Sequence, residues 1–596
     1  MLRREQKIRN IILFTLFSLV FIGVGYAVIS SNLTLNGSMR LNKITWDVHF
    51  ENFEELYDNT VTATKTLSNN NTSLTYNVNL NKPGDIFEFT IDVVNKGNID
   101  AMLSNIGKNG LTSAQQQVMD YNVTYLDGTT PTVKDSLKIG EVETFIISVK
   151  TKANITNAQL NATDTNLSLT FNPTYAQDDK TSTARPNSLY STIVKNSVLD
   201  NKASTYVTSA SGINFNNHSS DENGKGIYLY STTVNDNNPV YYYRGDITDN
   251  NVKLADYCWL LVRTTSTGGI KMIYNGTADS NGKCTKPEGA TFSDSVIATS
   301  TFNYSYISPT YVGYMHGSHI TYGVEYIDGS TSYKYGKSYS YNNGVYTLTG
   351  LADYSNDTHH FTCYNDTGTC EKIKFIYYSS DSYEYYFELE NNEDLSELFN
   401  NMFSNNYESD VKIIIDNWFE QNLISKEKYM KDEEWCGSRA WNDTVKNGLS
   451  GEPTLGLETP FEFAKKSTPT VSCEEKRDTY TVHETDKGNG KLRFPIALIS
   501  RDDSIFSGLS STSTTSPSVY TYLDTGFNSS SSYNWWTMTP SSFTKYASYM
   551  YAHGYNGVIE EVKTNEEYGV RPSISLRKGI KIASGDGTQN NPYIIN

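Results

Sequence analysis

The chain has 596 residues and carries 49 lysines and arginines against 66 aspartates and glutamates, a formal net charge of −17. At roughly 100–200 residues per domain, that length is too great for one hydrophobic core and calls for about three units. An acidic, hydroxyl- and amide-rich surface excludes binders of nucleic acid or of anionic membrane, both of which need a basic patch.

The chain opens with a basic segment, residues 1–10, carrying Arg3, Arg4, Lys7 and Arg9. The uncharged run Ile11–Ile29 follows, about 28 Å long as a helix at roughly 1.5 Å per residue, enough to span a bilayer. The basic flank stays cytoplasmic and sends everything after Ser30 outside. Gly25 and Ala27 also have the spacing of a signal-peptidase site. Residues 11–29 therefore read either as a single-pass transmembrane anchor or as a signal peptide cleaved near Ala27, which would leave a secreted protein.

From 32 to 172 the pattern has period two: "ITWDVHF", "LTYNVNL", "FEFTIDVV", "TFIISVK" and "LSLTF" are half-buried strands, separated by turns such as "NKPGD" and "NKGN". Many short strands in this span predict an antiparallel β-sandwich. Residues 173–188, with few apolar side chains and two prolines, read as a linker.

The remainder, 189–596, mixes strand runs with helical spacing, which predicts an α+β domain with long loops. "SLYSTIVKNSVL" suggests a short helix. Thr267, Gly268 and Gly269 form a hairpin turn between two strand-like runs, and Val411, Ile414, Ile415, Trp418 and Phe419 mark one amphipathic helix. A Tyr-rich segment near 303–387 reads as a strand-rich insertion.

All six cysteines lie in this second part. Six allow 15 pairings. Sequence proximity favours Cys258–Cys284, Cys363–Cys370 and Cys436–Cys473, each bridge worth about 2–4 kcal/mol through restriction of the unfolded chain, in an oxidising compartment. Zinc is the rival, but no C-x-x-C pair exists.

Two resemblances follow from these motifs. With "GVGYAVISSNLTLNGS", "WDVHFENF" and "NKPGDIFEFTIDVVNKGNIDA", residues 1 to about 172 resemble exported β-sandwich domains of Gram-positive bacteria related to the camelysin and biofilm-matrix fibre family. From about Gly226, the ordered set "YYYRGDI", "CWLLVRTTSTGGIKMIYNG", "SPTYVGYMHG", "IIDNWFEQNL", "WCGSR", "NWWTMTP", "YGVRPSISL" and "SGDGTQNNPYII" resembles a group of Firmicute surface modules. These are distantly similar to the sulfatase-modifying-factor and C-type-lectin-like fold. That likeness implies a disulfide-stapled head with variable loops. The formylglycine-generating members use a cysteine pair near their C-terminal strands; here no cysteine follows Cys473, and the catalytic implication falls away.

Individual site candidates are few. In "YGVRPSISL", Tyr568, Val570, Pro572, Ile574 and Leu576 alternate as a buried face while Arg571 sits on the other, as a structural fork to backbone carbonyls or as a ligand contact. The adjacent Trp535 and Trp536 face opposite sides of a strand, both in a core or one as a stacking platform for a sugar. Calcium-lectin echoes ("WND" at 441–443, "EPT" at 452–454, "RDDS" at 501–504) are in the wrong order or too generic, and "RGD" at 244–246 lies within a strand-like run. His316 and His319, and His359 and His360, lack metal-site geometry, and no nucleophile or phosphate-loop motif is present.

The sequence thus predicts no catalytic, cofactor or metal site. It predicts a cell-surface protein, tethered to the membrane through its N-terminus, whose lectin-like head binds an extracellular glycan or protein. A structural matrix or fibre subunit is the alternative, and an extracellular enzyme comes third. If Ile11–Ile29 is an anchor, carbonate-washed membranes retain the full chain; release of a chain beginning at Val28 contradicts it.

Overall fold

The computed structural model describes residues 44–595, apart from 200–212, 220–223, 231–237, 440–458, 461–467, 511–520 and shorter gaps at 58, 69, 109–110, 162, 164–165, 307–308, 474, 528–530, 545–546 and 556; within 318–402 it describes separate strands only. The protein is mainly β, in several antiparallel sheets. Among the described residues no helix is long and apolar enough to cross a membrane. Ile11–Ile29, and with it the anchor or signal segment, lies outside them.

The N-terminal strands are β1 (Val48–Glu55), β2 (Ala63–Leu67), β3 (Leu74–Asn79), β4 (Ile86–Asn95), β5 (Ala101–Asn105), β6 (Met119–Tyr125), β7 (Ser136–Leu137), β8 (Val142–Thr151), β9 (Asn166–Phe171) and β10 (Thr174–Gln177). They form sheets ordered β1-β4-β8-β6, β2-β3-β9 and β10-β5-β7. Period-two alternation puts Phe87, Phe89, Ile91 and Val93 of β4, with Phe145, Ile147 and Val149 of β8, into one core beside Phe50, Tyr76 and Phe171. The stretch read as a linker is tied down. Its residues 174–177 pair with β5, and Arg185 bridges Asp127 at 2.9 Å and Glu143 at 3.3 Å while lying over the Tyr125 ring. Backbone pairing and a multiply bonded guanidinium replace the apolar contacts that the composition lacks.

The larger C-terminal region contains β11 (Gly226–Tyr230), β12 (Val240–Arg244), β13 (Asn251–Leu254), β14 (Tyr257–Thr264), β15 (Gly269–Thr277) and β16 (Ala298–Thr301). An eight-stranded sheet runs β11-β12-β14-β15, then Ser573–Arg577 and Ile496–Ala497, with β13 and Tyr593–Ile595 alongside. A second, six-stranded sheet holds β16, Glu567–Val570, Trp535–Thr544, Ala547–His553 and Ile559–Lys563, with Thr459–Pro460 at its side. The β14–β15 hairpin turns at Gly268, whose φ of +85° favours glycine. The helix Asp410–Asn422 is capped by Ser409 and buries Val411, Ile415 and Phe419, leaving Ile414 and Trp418 half-buried. Cys258–Cys284 and Cys436–Cys473 are disulfide-bonded; the third expected pair includes Cys363, which lies outside the described residues.

"YGVRPSISL" forms two strands rather than one. Glu567–Val570 belongs to the six-stranded sheet and Ser573–Arg577 to the eight-stranded one. Pro572 has no N–H to donate, so the ladder breaks there and the chain changes sheet.

Residues Trp46–Asn596 make one compact unit. The outward faces of β1, β4 and β8 meet the segment that follows Ser573–Arg577. Lys578 bonds Glu51 at 3.0 Å, Arg577 bonds Glu54 at 3.0 Å and Thr90 at 2.8 Å, Lys431 also reaches Glu54, and Lys581 bonds Glu143 at 2.8 Å. Burial opposes ionisation of Glu51, but the hydrogen bond from His49 and the charges of Lys578 and Lys96 outweigh it and hold its carboxyl at about 2. A carboxylate held low in the folded state contributes stability above its unfolded value near 4.5, and that contribution is lost as pH falls towards 2. Denaturant unfolding from pH 6 to pH 2 is therefore expected to show Glu51→Gln less stable than the parent at pH 6, with roughly 3 kcal/mol less acid-induced loss. Parallel pH curves for the two proteins would contradict this.

Candidate functional site

Three buried arginines hold the irregular parts of the C-terminal region, each at a place where strands give out. Arg571, at the sheet change, donates from Nε to the Tyr274 carbonyl at 3.1 Å, from Nη1 to the Leu523 carbonyl at 2.7 Å and from Nη2 to Asn275 Oδ1 at 3.2 Å. Its partners thus come from β15 and a distant loop, while its contact with "NWW" is the face of Trp535, 4.8 Å from the guanidinium. Arg244, the Arg of "RGD", donates to the carbonyls of Ile505 and Phe506 at 2.8 and 3.3 Å and so caps the C-terminal end of the helix Arg501–Ser507. Burial pulls both guanidinium groups down to about 10, and they remain charged at neutral pH.

The sugar-platform reading of Trp535 and Trp536 is corrected by their burial: both faces of their strand are covered. Trp535 stacks on His553 at 4.3 Å, and Trp536 packs edge-on against Phe302 and Tyr568 and donates its indole N–H to the Ser300 carbonyl at 2.8 Å. With no open face, neither ring is a stacking surface. The "RDDS" carboxylates are likewise committed. Asp503 is salt-bridged to Arg263 at 2.7 Å and Lys271 at 3.4 Å, and buried Asp502 is pushed up to about 7 despite its Arg501 partner. Among the described residues no group of three or more His, Cys, Asp or Glu side chains could hold a metal ion. His316 is buried, with Nδ1 2.9 Å from the Gly317 carbonyl oxygen; His319, His359 and the "WND" and "EPT" motifs lie outside the described residues.

The third arginine, Arg439, lies beneath a group of partly exposed rings. Arg439 reaches both roots of the Tyr-rich segment: Nη1 donates to the Met315 carbonyl at 3.0 Å, and Nη2 donates to the Phe403 carbonyl at 3.0 Å and to Asn405 Oδ1 at 2.7 Å. Asp478 accepts from the Arg439 backbone N–H at 2.8 Å and from its guanidinium at 2.5 and 3.1 Å. Both partners are fully buried. Gly313, at φ +138°, leaves room for this approach, because a Cβ there would stand 3.0 Å from the Arg439 Nη1. The Cys436–Cys473 bridge lies three residues before Arg439 and five before Asp478 in sequence.

On this clamped neck Met315–His316 pairs with Tyr407–Glu408. A run of rings follows: Tyr304 against Tyr311 at 5.0 Å, Tyr311 against His316 at 5.3 Å, and His316 stacked on Tyr407 at 5.6 Å. Tyr304 and Tyr407 are 65% and 53% exposed, and the Tyr304 and Tyr311 hydroxyls are hydrogen-bonded at 2.7 Å. Such rings combine a broad apolar face with a polar tip. Sequence reasoning missed Arg439, Tyr304 and Tyr407. The one available signal was an arginine beside a half-cystine in "WCGSR"; the exposed tyrosines are lost among the 45 in the chain.

Comparison of the chain with models of protein families, with curated proteins and with solved structures finds no match.

The clamps differ in what their removal leaves behind. Arg439→Ala leaves the buried Asp478 carboxylate with only a backbone N–H and the Arg477 guanidinium 3.7 Å away, and is expected to cost up to about 3–5 kcal/mol. Arg571→Ala leaves up to three acceptors without this donor, at about 1–3 kcal/mol for each group left unsatisfied. Thermal unfolding of both variants measures this, and an unchanged midpoint in Arg571→Ala would contradict its structural role.

Proposed function

We propose that the protein is an exported cell-surface protein, tethered or secreted through its N-terminal segment. In this reading an N-terminal β-sandwich carries a C-type-lectin-like module that recognises an extracellular glycan through the Tyr304–Tyr407 face. The observation that carries the reading is that face itself: two exposed rings, Tyr304 and Tyr407, at the ends of a run of ring contacts through Tyr311 and His316, beside a buried Arg439–Asp478 pair. Two disulfides agree with an oxidising compartment. The acidic net charge agrees with a neutral ligand and against nucleic acid. The resemblance to Firmicute surface modules points the same way.

A glycan and host-protein array probed with the chain from Ile44 to Asn596 tests the proposal. Saturable binding is expected to fall at least tenfold in Tyr304→Ala and Tyr407→Ala, with unfolding midpoints unchanged because both rings are exposed. Binding indifferent to both substitutions would overturn the assignment of the face, and concentration-dependent fibres without array binding would favour a matrix subunit.

A further inference from the structure

A second cleft lies far from the tyrosine face in sequence, in the N-terminal β region. Its volume is about 190 Å³, and it is lined by residues of β1, the Asn71–Thr72 turn, β4 and the Asn172–Tyr175 segment. We propose that this cleft binds a single neutral sugar ring, independently of the tyrosine face.

The chemistry of the lining carries the proposal. Trp46, 44% exposed, and half-buried Tyr175 supply aromatic faces on which the C–H face of a pyranose packs. Asn71, Thr72 and Asn172 are exposed, and their side chains make no hydrogen bond among the described residues. Each amide offers both a carbonyl acceptor and N–H donors, the combination that vicinal hydroxyl groups require. The size selects one ring, because a volume of about 190 Å³ falls below the roughly 300–1,000 Å³ of sites for drug-sized ligands.

Charge selects a neutral one. His49 is the cationic candidate in the lining, but its Nδ1 lies 2.7 Å from Asp47 and its Nε2 3.1 Å from Glu51, so both ring nitrogens are committed and two carboxylates stand behind them. A uronic or sialic acid would find no free cation and would be repelled.

The cleft is also built before any ligand arrives. The Phe50 N–H donates to the Asn71 carbonyl at 2.6 Å, and the Asn172 N–H donates to the Gly107 carbonyl at 2.8 Å. Gly107, at φ +60°, is the residue that lets the 172 segment come so close, since a Cβ there would overlap the Asn172 carbonyl. Pinned loops lower the ordering cost of binding, which matters for a ligand this small.

Saturation-transfer NMR on the full-length chain tests this, with methyl glycosides of glucose, galactose, N-acetylglucosamine and glucuronic acid as probes. Transfer is expected to at least one neutral glycoside and not to the glucuronide. It should be lost in Trp46→Ala, reduced in Asn172→Ala, and unaffected by Tyr304→Ala with Tyr407→Ala, which separates this site from the face proposed above. Should Trp46→Ala lower the unfolding midpoint, the exposed pair Asn71→Ala with Asn172→Ala decides instead. Absence of transfer to every neutral glycoside, or transfer that persists in the folded cleft variants, would overturn the proposal.

Discussion

The architecture depends on the meeting of an acidic sheet face with a short basic segment. Glu51, Glu54 and Glu143 project from β1 and β8, and Arg577, Lys578 and Lys581 follow one another at the end of the C-terminal sheet. Charges taken out of water on both sides are costly unless each finds its partner, so the seam tolerates one register and penalises others steeply. Val94, Val142 and Leu126 of the N-terminal region join the apolar core of the C-terminal region beside it. Apolar burial supplies adhesion there, and the ion pairs fix the geometry. The β14–β15 turn fits the same surface, where a side chain at Gly268 would collide with Asn52.

Away from the seam, much of the C-terminal chain runs in loops whose carbonyl groups have no ladder partner. A planar guanidinium with five donors suits that problem, since one side chain can satisfy several acceptors arriving from different directions. Arg571 does so at a sheet change, Arg244 at a helix end and Arg439 where the chain at Met315 meets the chain at Phe403. Rigid anchoring of this kind permits exposed loops and rings to vary without loss of the frame.

How much of this was legible in the sequence follows from what each signal encodes. Alternation in "FEFTIDVV" correctly placed Phe87, Phe89 and Ile91 inward, but the same alternation implied that Thr90 and Asp92 face water, and both are buried. A strand reports which of its faces is apolar, and a polar face covered by complementary charge reads the same as one covered by water. The linker reading failed for a related reason, because backbone pairing and Arg185 need no apolar composition. The amphipathic spacing of Val411, Ile415 and Phe419 was read correctly, as was the Thr267-Gly268-Gly269 turn, since both are local. Trp535 and Trp536 required knowledge of a second covering layer, and the Trp46 cleft required four separate segments to be brought together. No one-dimensional pattern holds either.

The central claim is that the charged seam couples the N-terminal and C-terminal regions into one cooperative unit. Native-state hydrogen exchange on peptides covering 86–95 and 573–581, in the parent and in Lys578→Met, tests it most directly. The account predicts equal opening free energies for the two peptides in the parent and an equal decrease of both in the variant, because Glu51 keeps His49 and Lys96 on its own side but loses Lys578, its partner across the seam, and either region can open only with the other. A decrease confined to one peptide, or unequal opening in the parent, would contradict it.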